Sequence, residues 1–292
     1  MSTFTLSFTG MSVGGCLKVI DLTIFDIPRL LGYRFFQYAL LGGSLAAVVC
    51  GLIGLFLVLR KEAMIGDGIA HTTFGGIAIG LYLGIYPLLT ALVVAVLSVF
   101  AVSYMRRKGL AQSDAAIAVM LAVGFSTGLI IISLAGGFNV ELLSYLFGSI
   151  LTVDTTDMIV VSSLAVFALL FVSIFYKELL AITFDEDAAR MTGIPVGAIS
   201  TVFNVLVAIT IVLSIKVIGI ILVAALLVLP GLSALQLNLS FRGTVLATVV
   251  FGMVSTLAGT FLSAIYDVAT SGVIVFTAVL LFLLAVIYRR LE

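Results

Sequence analysis

The sequence predicts an all-α polytopic membrane protein with about nine transmembrane helices, eight to ten being the range its apolar runs allow. Three observations carry this. Of 292 residues, 63% are hydrophobic and only 10% are charged, whereas a soluble domain has about 25% charged residues. The mean hydropathy is +1.37. Apolar runs of roughly 20 residues, the length that crosses a bilayer core as a helix, follow one another with short connections from Tyr38 onward.

Residues 1–37 are the least hydrophobic part and read as an N-terminal extension and interfacial segment. A Ser/Thr-rich start leads to Lys18, Asp21, Asp26, Arg29 and Arg34. No uninterrupted apolar region follows a basic start, so no cleavable signal peptide is expected. The piece from Leu22 to Phe36 mixes aromatic and charged residues, a pattern suited to the membrane interface. Residues 38–292 form the transmembrane domain, with spans expected at 38–59, 64–84, 87–104, 115–136, 158–176, 196–215, 217–235, 244–265 and 272–288. Gly76, Gly80 and Gly84 are spaced by four in the second span, and Gly124 with Gly128 repeats the spacing in the fourth. Small residues at that interval let helices approach closely in lipid.

Lys and Arg set the orientation. With the chain before the first span outside, the cytoplasmic segments hold Arg60, Lys61, Arg106, Arg107, Lys108, Lys177, Arg190, Arg242, Arg289 and Arg290. That is ten of the fourteen basic residues, and only Lys18, Arg29, Arg34 and Lys216 stay outside, as the positive-inside rule requires. The outer segments then carry Asp21, Asp26, Glu141, Asp154, Asp157 and Asp267. Scattered carboxylates of this kind are ordinarily solvated, and attraction of a cation is the alternative.

Composition also excludes several classes. The formal net charge is zero, so nothing points to nucleic acid. Cys16 and Cys50 have neither metal-ligand spacing nor the look of a disulfide framework. No Gly-Lys pair stands in a phosphate-binding loop of the Walker A type. Any ATP that drives this protein is therefore used on another chain, and no permanently bound cofactor is expected.

The second span holds the chain's only histidine and its only carboxylate at membrane depth, in Met64-Ile65-Gly66-Asp67-Gly68-Ile69-Ala70-His71. An Asp near a helix centre in lipid costs roughly 2.5 kcal/mol or more, which makes such a residue a functional candidate. Positions i and i+4 share a helix face, so Asp67 and His71 can aim a carboxylate oxygen and an imidazole nitrogen at one point, half of a metal site. The alternative from the same residues is structural: Asp67 as a helix N-cap, with His71 bonded back to it.

Between the fifth and sixth spans, Asp185, Glu186 and Asp187 stand where negative charge favours a helix start. Ala188 follows, Arg190 falls near the end, and Gly193 with Pro195 stops the helix. This predicts a short capped cytoplasmic helix at 184–193. It reads either as a docking element for a partner's groove or as a plain interfacial loop helix.

Four ordered stretches together resemble the permease subunits of ABC importers for zinc and manganese, and are most similar to the zinc branch. They are Met64 to Gly80 with Gly66-Asp67 and Ala70-His71; Ser144-Tyr145-Leu146-Phe147-Gly148-Ser149-Ile150-Leu151-Thr152-Val153; Val217-Ile218-Gly219 through Leu229-Pro230-Gly231; and Ser263-Ala264-Ile265-Tyr266-Asp267 with the last span. The resemblance runs from about residue 31 to the C-terminus, and residues 1–30 extend beyond it. It implies the architecture of vitamin B12-type importers, with eight to ten helices per subunit, two permeases side by side, most simply a homodimer, and two ATPases below. It implies that the 184–193 helix, through Asp185, Glu186, Asp187, Ala188, Arg190 and Gly193, couples to the ATPase. It also implies that Asp67 and His71 line the metal path, that an extracytoplasmic metal-binding protein delivers the ion, and that the complex sits in the cell membrane. A further histidine in the fourth span, found in many relatives, is missing here.

On this reading the chain is a multi-pass transport subunit and not an enzyme. Its transported substrate is Zn2+, with Mn2+ or Fe2+ as the alternative, because the same donor types serve several divalent ions. Two copies would offer four ligands around one axial point. A secondary transporter or channel is the first rival and would need no docking helix. An intramembrane metalloenzyme is the second, and one histidine in the whole chain argues against it.

Overall fold

A computed structural model of the chain describes residue 32 and residues 34–137, 140–148, 155–266 and 268–291. The ordered elements among these are twelve α-helices: α1 (Arg34–Leu59), α2 (Met64–Leu83), α3 (Pro87–Arg107), α4 (Ser113–Leu134), α5 (Val140–Phe147), α6 (Thr155–Ile174), α7 (Tyr176–Phe184), α8 (Glu186–Met191), α9 (Val196–Ile218), α10 (Ile220–Leu235), α11 (Phe241–Tyr266) and α12 (Thr270–Leu291). A helix occupies each of the nine intervals where a span is expected. Among the described residues, six helices are long and apolar enough to cross a membrane, or seven if α6 and α7 count as one bent span. Polar residues and glycines lower the hydropathy of α2, and α10 has only 16 residues. The expected N-terminal extension lies almost wholly outside the described residues, as do Asp154 and Asp267.

Helix α1 is the hub. It packs against α6, α9, α10 and α11, and Ala47, Cys50, Ile53 and Phe56 are fully buried. A helix apolar on every side needs cover on every side. Its approach to α10 is set by Gly54: a Cβ there would lie 1.7 Å from the Leu227 carbonyl oxygen. The two backbones touch, and any side chain at 54 would force them apart.

Helix α2 is wedged between α3 and α4 in the same way. A Cβ at Gly76 would fall 2.8 Å from Ala91 Cα, and one at Gly80 would fall 2.8 Å from Pro87 Cα, both on α3. On the side facing α4, a Cβ at Gly75 would fall 2.4 Å from the Gly124 carbonyl oxygen, and one at Gly124 would fall 2.4 Å from Thr72 Cα. Gly84 departs from the expected packing role. It ends α2 with φ +66° and closes the helix through its amide and that of Ile85, bonded to Leu81 and Gly80 carbonyls; its surroundings are open. The spacing of four thus joins packing glycines to a C-cap.

Three features differ from the sequence expectation. The sixth and seventh spans break at Gly219 rather than at residue 216, because Gly219 lies backbone to backbone with Gly148 at the end of α5; a Cβ on it would fall 2.4 Å from the Gly148 amide nitrogen. The fifth span stops at Ile174, where the chain bends by 69° into α7. That helix buries Leu179 and Ile182. Helix α5 is the third, in a stretch read as a connection.

The packing makes a direct prediction. Ala favours a helix over Gly by about 1 kcal/mol, but overpacking costs about 1–3 kcal/mol or more. Gly54→Ala should therefore lower the thermal unfolding midpoint, while Gly272→Ala, where nothing lies within 4 Å of the added carbon, should hold or raise it. Equal effects of the two would mean that the α1–α10 contact is looser than described.

Candidate functional site

Helix α2 starts at Met64, with Ala63 at the capping position and no side-chain cap. Its first turn is tightened by Ile65 and Gly66 amides donating to Glu62 and Ala63 carbonyls at 3.0 and 3.3 Å, which satisfies donors that a cap would otherwise serve. Asp67 lies inside the helix, so the N-cap interpretation of it fails. Asp67 Oδ1 stands 3.7 Å from His71 Nε2. That is less than twice the roughly 2.0–2.2 Å of a metal–oxygen or metal–nitrogen bond, so one cation can touch both atoms.

The pair lies on the face of α2 that the subunit leaves open, with 44% of the Asp67 side chain and 34% of the His71 side chain exposed. Phe125 on α4 stands edge-on to the imidazole, ring centroids 5.3 Å apart, and leans on Phe74 at 5.4 Å. It fixes how the imidazole sits, and nothing in the local sequence pattern flagged it. Thr72 and Thr73 point the other way. Their hydroxyls are buried and donate to Gly68 and Ile69 carbonyls within the helix. Among the described residues no group of three or more His, Cys, Asp or Glu side chains comes together.

The docking-helix residues are brought together elsewhere. Asp185 is the N-cap of α8, and its carboxylate accepts from the Ala188 amide at 2.9 Å. Glu186 and Arg190 pair one turn apart along the exposed side, beside exposed Asp187 and Ala188. At the far end Gly193, with φ +85°, donates to the Arg190 carbonyl, and Ile194 donates to the Ala189 carbonyl. This is a Schellman closure, which calls for a left-handed residue at that position. Buried Ala189 anchors the helix. Phe184 and Met191 are 71% and 90% exposed and add apolar surface to the charged one, which a reading centred on charge overlooks.

The comparisons bear on the whole chain. The profile of the ABC 3 transport family matches residues 32–289. The manganese transport system membrane protein MntC of Halalkalibacterium halodurans is 35% identical over 265 residues, 91% of this chain and 90% of that one. The manganese import system permease protein ScaB of Streptococcus gordonii is 30% identical over 259 residues, covering 89% and 93%. Among solved structures, PsaBC from Streptococcus pneumoniae in complex with Fab superposes with a TM-score of 0.80 at 30% identity, over 89% of this chain and 94% of that one. An ABC transporter in an inward-facing conformation gives 0.69 at 14% identity over 99% and 93%, a likeness of fold alone. These matches agree with the resemblance read from the motifs, and the chain belongs to the ABC 3 transport family: it is a multi-pass plasma-membrane permease subunit, not an enzyme.

Proposed function

We propose that this chain is the permease of an ATP-driven importer whose cargo is manganese. Zinc is the cargo favoured by the motif resemblance; several relatives that align over about nine-tenths of the chain are named for manganese, and they move the reading. One carboxylate and one imidazole suit either ion. The observation that carries the metal path is the Asp67–His71 pair, held at bridging distance on an open face with no third ligand from its own chain among the described residues. A second copy across a two-fold axis adds a second pair, and water completes the shell that a hard divalent ion prefers. The homodimer, the nine-span topology, the B12-type architecture, the partner ATPase that uses ATP and the extracytoplasmic metal-binding protein all belong to this proposal.

In it, α8 is the coupling helix. It follows α7 after the single extended residue Asp185 and leads through Pro195 into α9, which packs on α3, which packs on α2. ATPase closure would shift α8, and this chain of packed helices gives the shift a physical route to the metal pair.

Uptake by the complex reconstituted in liposomes tests the cargo: Mn2+ should be carried in preference to Zn2+ and Fe2+, and preferred uptake of Zn2+ restores zinc. Asp67→Asn and His71→Ala should each cut uptake by more than the ~10–100-fold that loss of a supporting partner costs at a metal site, with expression unchanged. Since Asp67 caps nothing, wild-type uptake by Asp67→Asn would remove it from the path.

The coupling role has its own test. Asp185→Ala, which costs a helix about 1 kcal/mol, should weaken metal-stimulated ATP turnover, while Asp185→Asn, an equivalent cap, should preserve it. Gly193→Pro should abolish the stimulation, because proline is locked near φ −65°. Full turnover in that variant would leave α8 a mere connection.

A further inference from the structure

The joint between α1 and α2 is built on an uncommon backbone. Lys61 has φ +57°, a left-handed conformation that non-glycine residues adopt rarely and that persists only where the surroundings enforce it. Around it α1 closes in a Schellman pattern: the Lys61 amide donates to the Val58 carbonyl at 3.1 Å and the Glu62 amide to the Leu57 carbonyl at 2.9 Å. The Glu62 carbonyl then accepts the Ile65 amide at 3.0 Å in the first turn of α2. The backbone of one residue thus ends one helix and starts the next.

The side chain of that residue is held as firmly as its backbone. Glu62 is 6% exposed. Its carboxylate pairs with Arg106, at the end of α3, at 2.8 Å and with Arg60 at 3.2 Å. Arg60 in turn donates to Ser200 Oγ on α9 at 3.0 Å and lies over the Phe203 ring. A buried carboxylate between two guanidiniums has little freedom to move, because leaving either one would strand a charge out of water. The contacts of α2 beside the metal pair are softer. A Cβ at Gly66 or Gly68 would first meet the methyl tips of Leu227 and Ile117, side chains that can turn, whereas the backbone contacts begin at Thr72, beyond His71.

We propose that Glu62 is a positioning residue for the metal pair. Its double ion pair fixes where α2 starts, and therefore where Asp67 and His71, on the next turns of the same helix, face out of the subunit. The inference rests on the reading of that pair as the metal path. Arg60 and Arg106 also line, with Arg107, a cavity of about 280 Å³ whose wall Glu186 and Arg190 of α8 complete. A movement of α8 would therefore alter the surroundings of the groups that hold Glu62.

His71 is the only histidine in the chain, which makes its ring a single reporter of where the pair sits. The full-length chain, isotopically labelled in histidine and purified through a histidine-free tag, is placed in lipid nanodiscs without metal, and its ring resonances are recorded by NMR at one fixed pH. Glu62→Gln keeps the size of the side chain and removes its charge. It should shift the ring resonances or split them. In the liposome-reconstituted complex it should raise the apparent KM for Mn2+ roughly tenfold, the scale of losing a supporting partner at a metal site. Arg106→Gln, at a side chain 35% exposed, releases one of the two pairings and leaves Arg60 and Glu62 balanced. It should move the resonances by less, and it keeps the proposal testable if Glu62→Gln does not fold. Arg289→Gln, which removes an exposed bond to Gln236, is the control and should move nothing. Shifted resonances with an unchanged KM would uphold the placement and count against the metal path itself. Unchanged resonances in the folded variants of Glu62 and Arg106, even with a lower unfolding midpoint, or an equal shift in Arg289→Gln, would overturn the proposal.

Discussion

The backbone contacts of α2 are the constraint on which the rest of the molecule depends. In lipid no hydrophobic force drives helices together, so association rests on close packing and interhelical hydrogen bonds. Gly75 against Gly124, and Gly76 and Gly80 against Ala91 and Pro87, bring α2 within backbone contact of two neighbours. Leu227 of α10 reaches Gly66 from a third direction. With those sides taken, the remaining face is the one that carries Asp67 and His71. The glycines and the polar pair are thus one design: the tighter α2 is clamped, the more closely defined is the point at which its two donors face out of the subunit. A carboxylate left against hydrocarbon at that depth would be costly. In the proposed dimer, a second copy across the open face would supply both cover and ligands.

The charged end of the bundle follows different physics. Arg60 and Glu62 are an almost fully buried pair, 7% and 8% exposed, and buried ion pairs of this kind contribute little net stability once desolvation is counted. What such a pair does well is fix geometry. Arg60 links the end of α1 to Ser200 and Phe203 on α9, while Arg106 links Glu62 to α3. Two of the three helices that meet there, α3 and α9, lie on the route proposed for movement of α8. Close-packed interiors transmit strain, and these ion pairs fix how the helix ends sit against one another at that joint.

Much of this was legible in the sequence, for identifiable reasons. Continuous apolar runs locate helices in every expected span, and the charge signals around Asp185 and Arg190 with Gly193 locate α8 to within two residues. Helix α5 was not legible: its eight residues, Val140–Phe147, fall far short of the ~20 apolar residues that mark a span. The bend into α7 was hidden because Phe175 and Tyr176 continue the apolar run across it. Gly84 was misread because one interval serves both packing and capping. Phe125, and the meeting of Arg60, Arg106, Arg107 and Arg190, depend on contacts between residues far apart in the chain. The inside bias of Lys and Arg flagged each of those arginines as a topology signal, and only folding makes them a cluster.

In the proposed dimer, metal selectivity is a property of the assembled site. One chain offers a carboxylate and an imidazole whose chemistry is shared by manganese, iron and zinc, so discrimination has to come from how two pairs are spaced and how much water they leave in the shell. Phe125 and the glycine contacts set the position of each pair within a subunit, and the separation of the subunits sets the rest. A passage site must also release its ion. In the proposed dimer, two half-exposed pairs on facing helices would meet both needs, because a small change in the distance between copies would loosen every bond at once, whereas a four-ligand cage within one chain would have to unfold part of a helix to let go.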